Sequence, residues 1–241
     1  MTGRAMVCDA AAYEWQVIPP DANGAERPVI LAELSEFRGR VLHANGRRPH
    51  FWSPGRGYAD DDPLDVHSFH ITARAGNDLV GYMRVRGLPA YRQTSVGRLV
   101  TSRRFTAMLG EMGLTGNDCL EVGRWTVAPA ARGTAVGRTL VIGAWAIGRW
   151  LDKRRLVVTV GTRDGQAIML TRFGGQFFPA YDPRYVAEYD DELAPMYFDL
   201  DQPPARVASY LESVTRLLKL PEVTPADRGM AVLPDSTKDN A

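Results

Sequence analysis

Val127-Ala128-Pro129-Ala130-Ala131-Arg132-Gly133-Thr134-Ala135-Val136-Gly137 stands between two kinds of periodicity. Before it, Cys119 to Val127 is strand-like. After it, Ala135 to Leu151 is strongly amphipathic at helical spacing, and Leu156 to Val160 is a continuous apolar run suited to a buried strand. The stretch thus turns a strand into a helix within a strand, helix, strand unit. Such a turn leaves backbone N–H groups at the helix start without intrahelical partners, and an anion satisfies them. Small residues at Gly133, Thr134, Ala135 and Gly137 let a diphosphate approach the main chain, the helix dipole favours negative charge, and Arg132 adds a charged donor. No Gly-Lys-Ser/Thr follows and no G-x-G-x-x-G is present, so neither the Walker pattern nor the dinucleotide fingerprint fits. On these residues alone, glycines that merely cap the turn remain the other reading.

Working outward, Tyr13 to Ile18 reads as a short strand stopped by Pro19-Pro20 ahead of a turn-rich linker through Asn23-Gly24. Ile30, Leu31, Leu34, Phe37 and Val41 recur at helical spacing and predict a helix over Pro28 to Leu42. Arg47 to Pro63 is a long loop carrying Phe51, Trp52 and Tyr58, of the kind that is often functional. His67 to Arg74 and Leu79 to Arg86 alternate around Gly76-Asn77 and predict a hairpin, and Ser95 to Gly113 reads as one helix ended by glycine. Gln166 to Phe173 predicts a short helix, Met196 to Leu200 a strand, and Ala205 to Leu218 a helix with the stripe Val207, Leu211, Val214, Leu218.

At 241 residues and 45% hydrophobic content the chain buries one substantial core, so residues 1–220 are expected to form a single domain, with 221–241 a polar, flexible tail. The 29 basic and 28 acidic side chains nearly cancel, which offers no case for nucleic acid or an anionic membrane. Cys8 and Cys119 form neither a CxxC pair nor a disulfide framework, no export signal is visible, and a reducing cytoplasm fits best. The apolar stretch Thr139 to Leu151 is well short of the roughly 18 residues that span a bilayer, and no histidine pairing suggests a metal.

Val127 to Leu140 resembles the acyl-CoA-binding motif of the GNAT superfamily, V-x-P-x-x-R-G-x-G-x-G-x-x-L, with Ala135 in place of the middle glycine. The resemblance implies a GNAT-like α/β (α+β) fold, a central mixed twisted sheet flanked by helices. It further implies that Trp125, Val127 and Arg132 to Gly137 hold a phosphopantetheine thioester, acyl-CoA or acyl-ACP, as cosubstrate rather than a permanent cofactor. Ala167 to Gly175 looks like that superfamily's A-x-x-L-Y-x-x-x-G segment, with Thr171 where a tyrosine commonly protonates the departing thiolate. By that comparison this chain lacks the common general acid.

Glu121-Val122-Gly123-Arg124-Trp125-Thr126-Val127 is similar to the E-x-x-R-F-x-V strand of acyl-homoserine-lactone synthases and the related N-acyl amino acid synthases. Asp60, Asp62 and Asp65 repeat the spacing of their E-x-D-x-x-D element, Arg38 to Leu42 resembles their R-x-x-V-F helix, and Trp52 is placed at the tryptophan that follows. Gly81 to Arg84 sits at their G-x-x-R, although Val85 to Leu88 does not reproduce the next turn. The resemblance implies an N-acyltransferase acting on the amine of a small amino-acid-like acceptor, with Arg38, Trp52, Asp62, Asp65 and Arg84 as acceptor-side residues. An ion-pair network is the other reading of Asp65 and Arg84.

Chemically, an ammonium must lose a proton before it attacks a thioester, and Glu121 is the first candidate base. The alternative is a strand-fixing ion pair between Glu121 and Arg124. Strict alternation puts Cys119, Glu121, Gly123 and Trp125 on one face and Arg124 on the other unless a bulge intervenes, for which Gly123 is the plausible place. Lys153-Arg154-Arg155 with Arg103-Arg104 either receives an acidic acyl carrier protein or is a solvated face. A short-chain acetyltransferase and a noncatalytic acyl-ligand-binding domain are the competing functions.

Overall fold

A computed structural model of the chain describes residues 9–20, 26–88, 94–179 and 181–220. The expected linker turn at Asn23-Gly24, Cys8 and the tail 221–241 lie outside the described residues. The strands are β1 (Glu14–Ile18), β2 (Trp52–Ser53), β3 (Gly57–Tyr58), β4 (Phe69–Ala75), β5 (Asp78–Gly87), β6 (Cys119–Val127), β7 (Arg155–Gly161), β8 (Gln176–Phe177), β9 (Arg184–Val186) and β10 (Asp191–Asp199). The helices are α1 (Arg27–His43), α2 (Ser95–Val100), α3 (Ser102–Glu111), α4 (Ala135–Trp150), α5 (Gln166–Arg172) and α6 (Ala205–Leu217).

Eight strands form one sheet in the order β1-β4-β5-β6-β7-β10-β8, with β9 beside β10. Among the described strands only β6 and β7 run parallel, because α4 carries the chain across the sheet between them. One face is covered by α4 and α6, where Val136, Leu140, Trp145, Val207 and Leu211 pack over Ile71, Met83, Val85, Leu120 and Val122. Fully burying each such large side chain contributes about 2 kcal/mol. On the other face, Leu34 and Phe37 of α1 meet Leu79 and Tyr82, while α2 and α3 bring Val96, Val100, Phe105 and Met108 onto Cys119 and Val157. Among the described residues no helix is long and apolar enough to cross a membrane.

Two expectations change. Ser95 to Gly113 is not one helix: Thr101 adopts φ +77°, and its hydroxyl accepts from the Arg104 N–H, starting a second helix in a new direction. A left-handed β-branched residue does not continue a helix. The strand foreseen from Met196 begins instead at Asp191, since Pro195 interrupts the reading yet pairs opposite Thr159 in the ladder.

The feature that shapes the site is a bulge in β6. Tyr82 pairs with Thr126 and Arg84 with Gly123, so β6 carries one more residue than β5 over that interval, and Arg124 takes φ +54° there. Up to the bulge, Leu120 and Val122 face α4 while Glu121 faces α2. Beyond it the faces exchange: Trp125 and Val127 lie against α4, where a side chain added at Gly137 would approach Trp125 within 3.4 Å. Arg124 consequently shares the side of Glu121, contrary to strict alternation.

Candidate active site

The parallel ladder of β6 and β7 runs only from Cys119–Arg155 to Val122–Val158. Past that point the bulge splays the strands, and a cavity of about 420 Å³ opens. Its walls are Gly123, Arg124, Trp125 and Thr126 of β6, Thr159, Val160 and Gly161 of β7, Ser95, Arg98 and Leu99 of α2, and Arg184 to Val186, Glu188, Tyr189 and Asp191 beside β9 and β10. The indole N–H of Trp125 and the hydroxyl of Thr159, both buried wall residues' atoms, have no hydrogen-bond partner among the described residues. Burying unpaired polar groups costs free energy, so a ligand with acceptor atoms suits this gap.

Beneath one wall lies a buried network of three arginines and three aspartates. Arg38 meets Asp60 at 3.0 Å and Asp65 at 2.6 Å. Arg84 reaches Asp65 and Asp62, each at 2.8 Å, and Arg124 reaches Asp62 at 2.9 Å and Asp60 at 3.0 Å. Burial alone raises the pKa of the Asp62 carboxyl, but the charge of Arg84 and the hydrogen bond from Arg124 outweigh it and hold the group well below the carboxylate range. Burial likewise lowers Arg84 and Arg124, and their anionic neighbours carry both above the ordinary value. A closed, charge-balanced set is the form in which buried ions persist. Of the residues resembling the synthase elements, Arg38, Asp62, Asp65, Arg84 and Arg124 come together here, and Arg84 and Arg124 also border the cavity. Trp52 does not: it is 46% exposed on the β2–β3 hairpin, opposite Tyr58.

His70, assigned no role in the sequence reading, supports this network from below. Its ring lies 2.9 Å from the Tyr82 hydroxyl through Nδ1 and 2.9 Å from the Asp65 carbonyl through Nε2. The tautomer protonated on Nε2 satisfies both contacts, donating to the carbonyl and accepting from Tyr82. Burial depresses His70 to about 4 against the opposing pull of Asp65.

Glu121 is placed differently from expectation. Its carboxylate is 1% exposed, accepts from Arg86 Nε at 2.7 Å and from both the backbone N–H and the hydroxyl of Ser95 at 2.5 Å, and does not border the cavity. Nor does it pair with Arg124, which the bulge turns to Asp60 and Asp62. Glu121 thus ties the start of α2 to β6.

At the glycine turn, Gly133 has φ +79° and Arg132 is exposed, its backbone N–H donating to the Pro129 carbonyl at 3.3 Å. Two of the N–H groups read as open are occupied: Val136 donates to the Thr134 hydroxyl at 3.2 Å, and Ala135 donates to the Asp9 carboxylate at 3.0 Å. The Asp9 contact joins residues too remote in sequence for a local reading to find. Thr171 turns its hydroxyl onto the Ala167 carbonyl of its own helix at 2.9 Å, away from the cavity. The carboxylates that do border the cavity, Glu188 and Asp191, come from a segment in which no periodicity drew attention to them.

The sheet order, the bulged β6 and the splayed parallel pair beside the glycine turn define a GNAT-like fold. Within that class the chain is similar to solved acyl-homoserine lactone synthases. It resembles BjaI, described as a CoA-dependent acyl-homoserine lactone synthase with MTA, at a TM-score of 0.63 and 13% identity, covering 91% of this chain and 98% of that one. TofI in a ternary complex with an inhibitor and MTA gives 0.59 and 17%, covering 85% and 99%. Escherichia coli ElaA gives 0.51 and 17%, covering 78% and 99%. At these identities the likeness is one of fold. No family model and no curated protein matches.

Proposed function

We propose that this chain is an N-acyltransferase that moves an acyl group from a phosphopantetheine thioester to the amine of a small, amino-acid-like acceptor. The observation that carries the reading is the splay of β6 from β7 at Arg124, which opens a cavity between unpaired strand edges; no residue of the glycine turn lines it, but its wall residue Trp125 lies against Gly137. Pantetheine is a chain of amides, and unpaired strand edges together with the Trp125 indole offer it hydrogen-bonding partners. The N-terminus of α4, with Arg132, suits its diphosphate or the phosphate of a carrier-bound arm. In this reading the acyl carbonyl lies at the bulge, where a backbone N–H near Trp125 to Val127 steadies the oxyanion. The acceptor enters from the wall bearing Arg98, Glu188 and Asp191, whose mixed charges suit a zwitterion; the Arg38–Asp65–Arg84 network acts by holding Arg124 in shape.

The test is incubation with acetyl-CoA, hexanoyl-CoA and hexanoyl carrier protein plus pooled amino acids and their derivatives, followed by product mass analysis. An N-hexanoyl product supports the reading, an N-acetyl product alone favours a short-chain acetyltransferase, and thioester binding without turnover favours a noncatalytic acyl-binding domain.

A further inference from the structure

Tyr189 closes the turn Ala187–Tyr189 ahead of β10 and borders the cavity with Gly123, Arg124 and Trp125. It is held from the long aromatic loop: its ring stands 6.5 Å from that of Phe51, and Arg48 Nε donates to its carbonyl. The phenolic oxygen accepts from Arg124 Nη1 at 3.0 Å. A guanidinium can only donate, so this bond leaves the phenolic proton unused, and no described residue accepts it. A hydroxyl with an unspent proton therefore stands at the cavity wall, beside the arginine that forms the bulge.

Resting on the acyl-transfer reading, we propose that Tyr189 is the catalytic proton carrier of that reaction. The neutral amine attacks the thioester carbonyl, forming the C–N bond and a tetrahedral intermediate. The C–S bond breaks as the intermediate collapses, and the sulfur takes the Tyr189 proton. The nitrogen, now carrying one proton too many, returns it to the phenolate. One proton has moved from nitrogen to sulfur, the products are an amide and a thiol, and Tyr189 is restored. Arg124 steadies the transient phenolate through the bond it already makes. Burial raises the pKa of Tyr189, with Arg124 opposing, which keeps the hydroxyl protonated and able to act as an acid at neutral pH. The position answers the absence of a tyrosine at Thr171, whose hydroxyl is spent on its own helix.

Tyr189→Phe keeps the ring against Phe51 and removes only the hydroxyl. Two hexanoyl donors distinguish proton transfer from structure: the N-acetylcysteamine thioester, whose thiolate needs a proton, and the 4-nitrothiophenyl thioester, whose thiolate does not. With pooled amino acids as acceptor, Tyr189→Phe is expected to lower kcat about 100-fold on the first donor and less than about threefold on the second, as loss of a general acid requires. The CoA dissociation constant, measured by calorimetry, should change less than about twofold, since the hydroxyl is not a binding contact for it. Equal losses on both donors, or no loss on either, would overturn the assignment. A wild-type chain inactive on both would instead remove the acyl-transfer reading itself. Replacing Tyr189 by the more acidic 3-fluorotyrosine provides a second check: the alkaline limb of kcat should move to lower pH, and an unmoved limb counts against the proposal.

Discussion

Gly39→Ala sets two opposed effects against each other at the base of the charged network. In an isolated helix, alanine exceeds glycine in stability by about 1 kcal/mol. Here α1 crosses the long loop at this residue, and an added Cβ would lie 2.4 Å from the Ala59 nitrogen, 2.7 Å from its carbonyl carbon and 2.8 Å from its Cα. These are main-chain atoms, and their neighbours are committed: Ala59 donates to the Phe51 carbonyl at 3.0 Å and Asp60 to the Ser35 carbonyl at 3.1 Å. Relieving the overlap means moving Asp60 away from Arg38. Overpacking of this kind costs roughly 1–3 kcal/mol and a weakened buried hydrogen bond about 1 kcal/mol more. The clash outweighs the helix gain, giving a net loss of about 2 kcal/mol and a fall in Tm of roughly 4–8 °C for a chain of this size. Gly110→Ala is the internal control, because nothing lies within 4 Å of its added Cβ; it should stabilise by about 0.5–1 kcal/mol. Urea titration of both variants decides the matter. If Gly39→Ala is as stable as Gly110→Ala, the loop yields freely and the close crossing does not hold the network.

Four shorter predictions follow from the same geometry. Between pH 6.5 and about 4 the unfolded chain binds a proton that native His70 refuses, so stability is lost as pH falls through that window, by on the order of 3 kcal/mol; His70→Gln should flatten this slope in urea midpoints at pH 7, 5.5 and 4.5, and an unchanged slope would exclude His70 as its source. Asp9→Ala frees the Ala135 N–H for a diphosphate, and calorimetry should show CoA binding about tenfold tighter, worth about 1.4 kcal/mol; equal or weaker binding would make Asp9 purely structural. Glu121→Gln should loosen α2 and cost about 1–3 kcal/mol by weakening the charge-assisted bonds the buried carboxylate accepts from Arg86 and Ser95, measurable by denaturation, rather than act selectively on turnover. Lys153 already donates to Asn117 and Arg154 faces Asp201, so charge reversal at exposed Arg103 and Arg104 is the sharper test of a carrier-protein surface: use of a hexanoyl carrier protein should weaken several-fold at low salt while hexanoyl-CoA kinetics hold.

What the sequence made legible follows the reach of each rule. The glycine turn, β6 and α4 could be read because alternation, helical periodicity and the unpaired amides of a helix start are local properties. Even the bulge announced itself near Gly123, one residue from the positive φ at Arg124. Partner choice was not local. Glu121 is three residues from Arg124 in the chain, yet its partner Arg86 is fixed by the register of β5 against β6, which one strand alone does not contain. The three aspartates stood out by spacing, but their closure with Arg38, Arg84 and Arg124 required four separate segments to meet. Tyr189 and Asp191 left no trace because the segment before β10 has no period and Pro195 hides the start of the strand.

Arg124 also works as a phase slip within β6. Residues before it and after it obey the same two-residue alternation, but the count is offset by one, so the strand keeps two incompatible alignments joined at a single point. Removing that residue would bring the halves into step with Val122, Trp125 and Val127 all still on the α4 face, and would close the bulge at which β6 parts from β7. The cavity thus depends on one surplus residue in the strand, while which side chains reach the core does not.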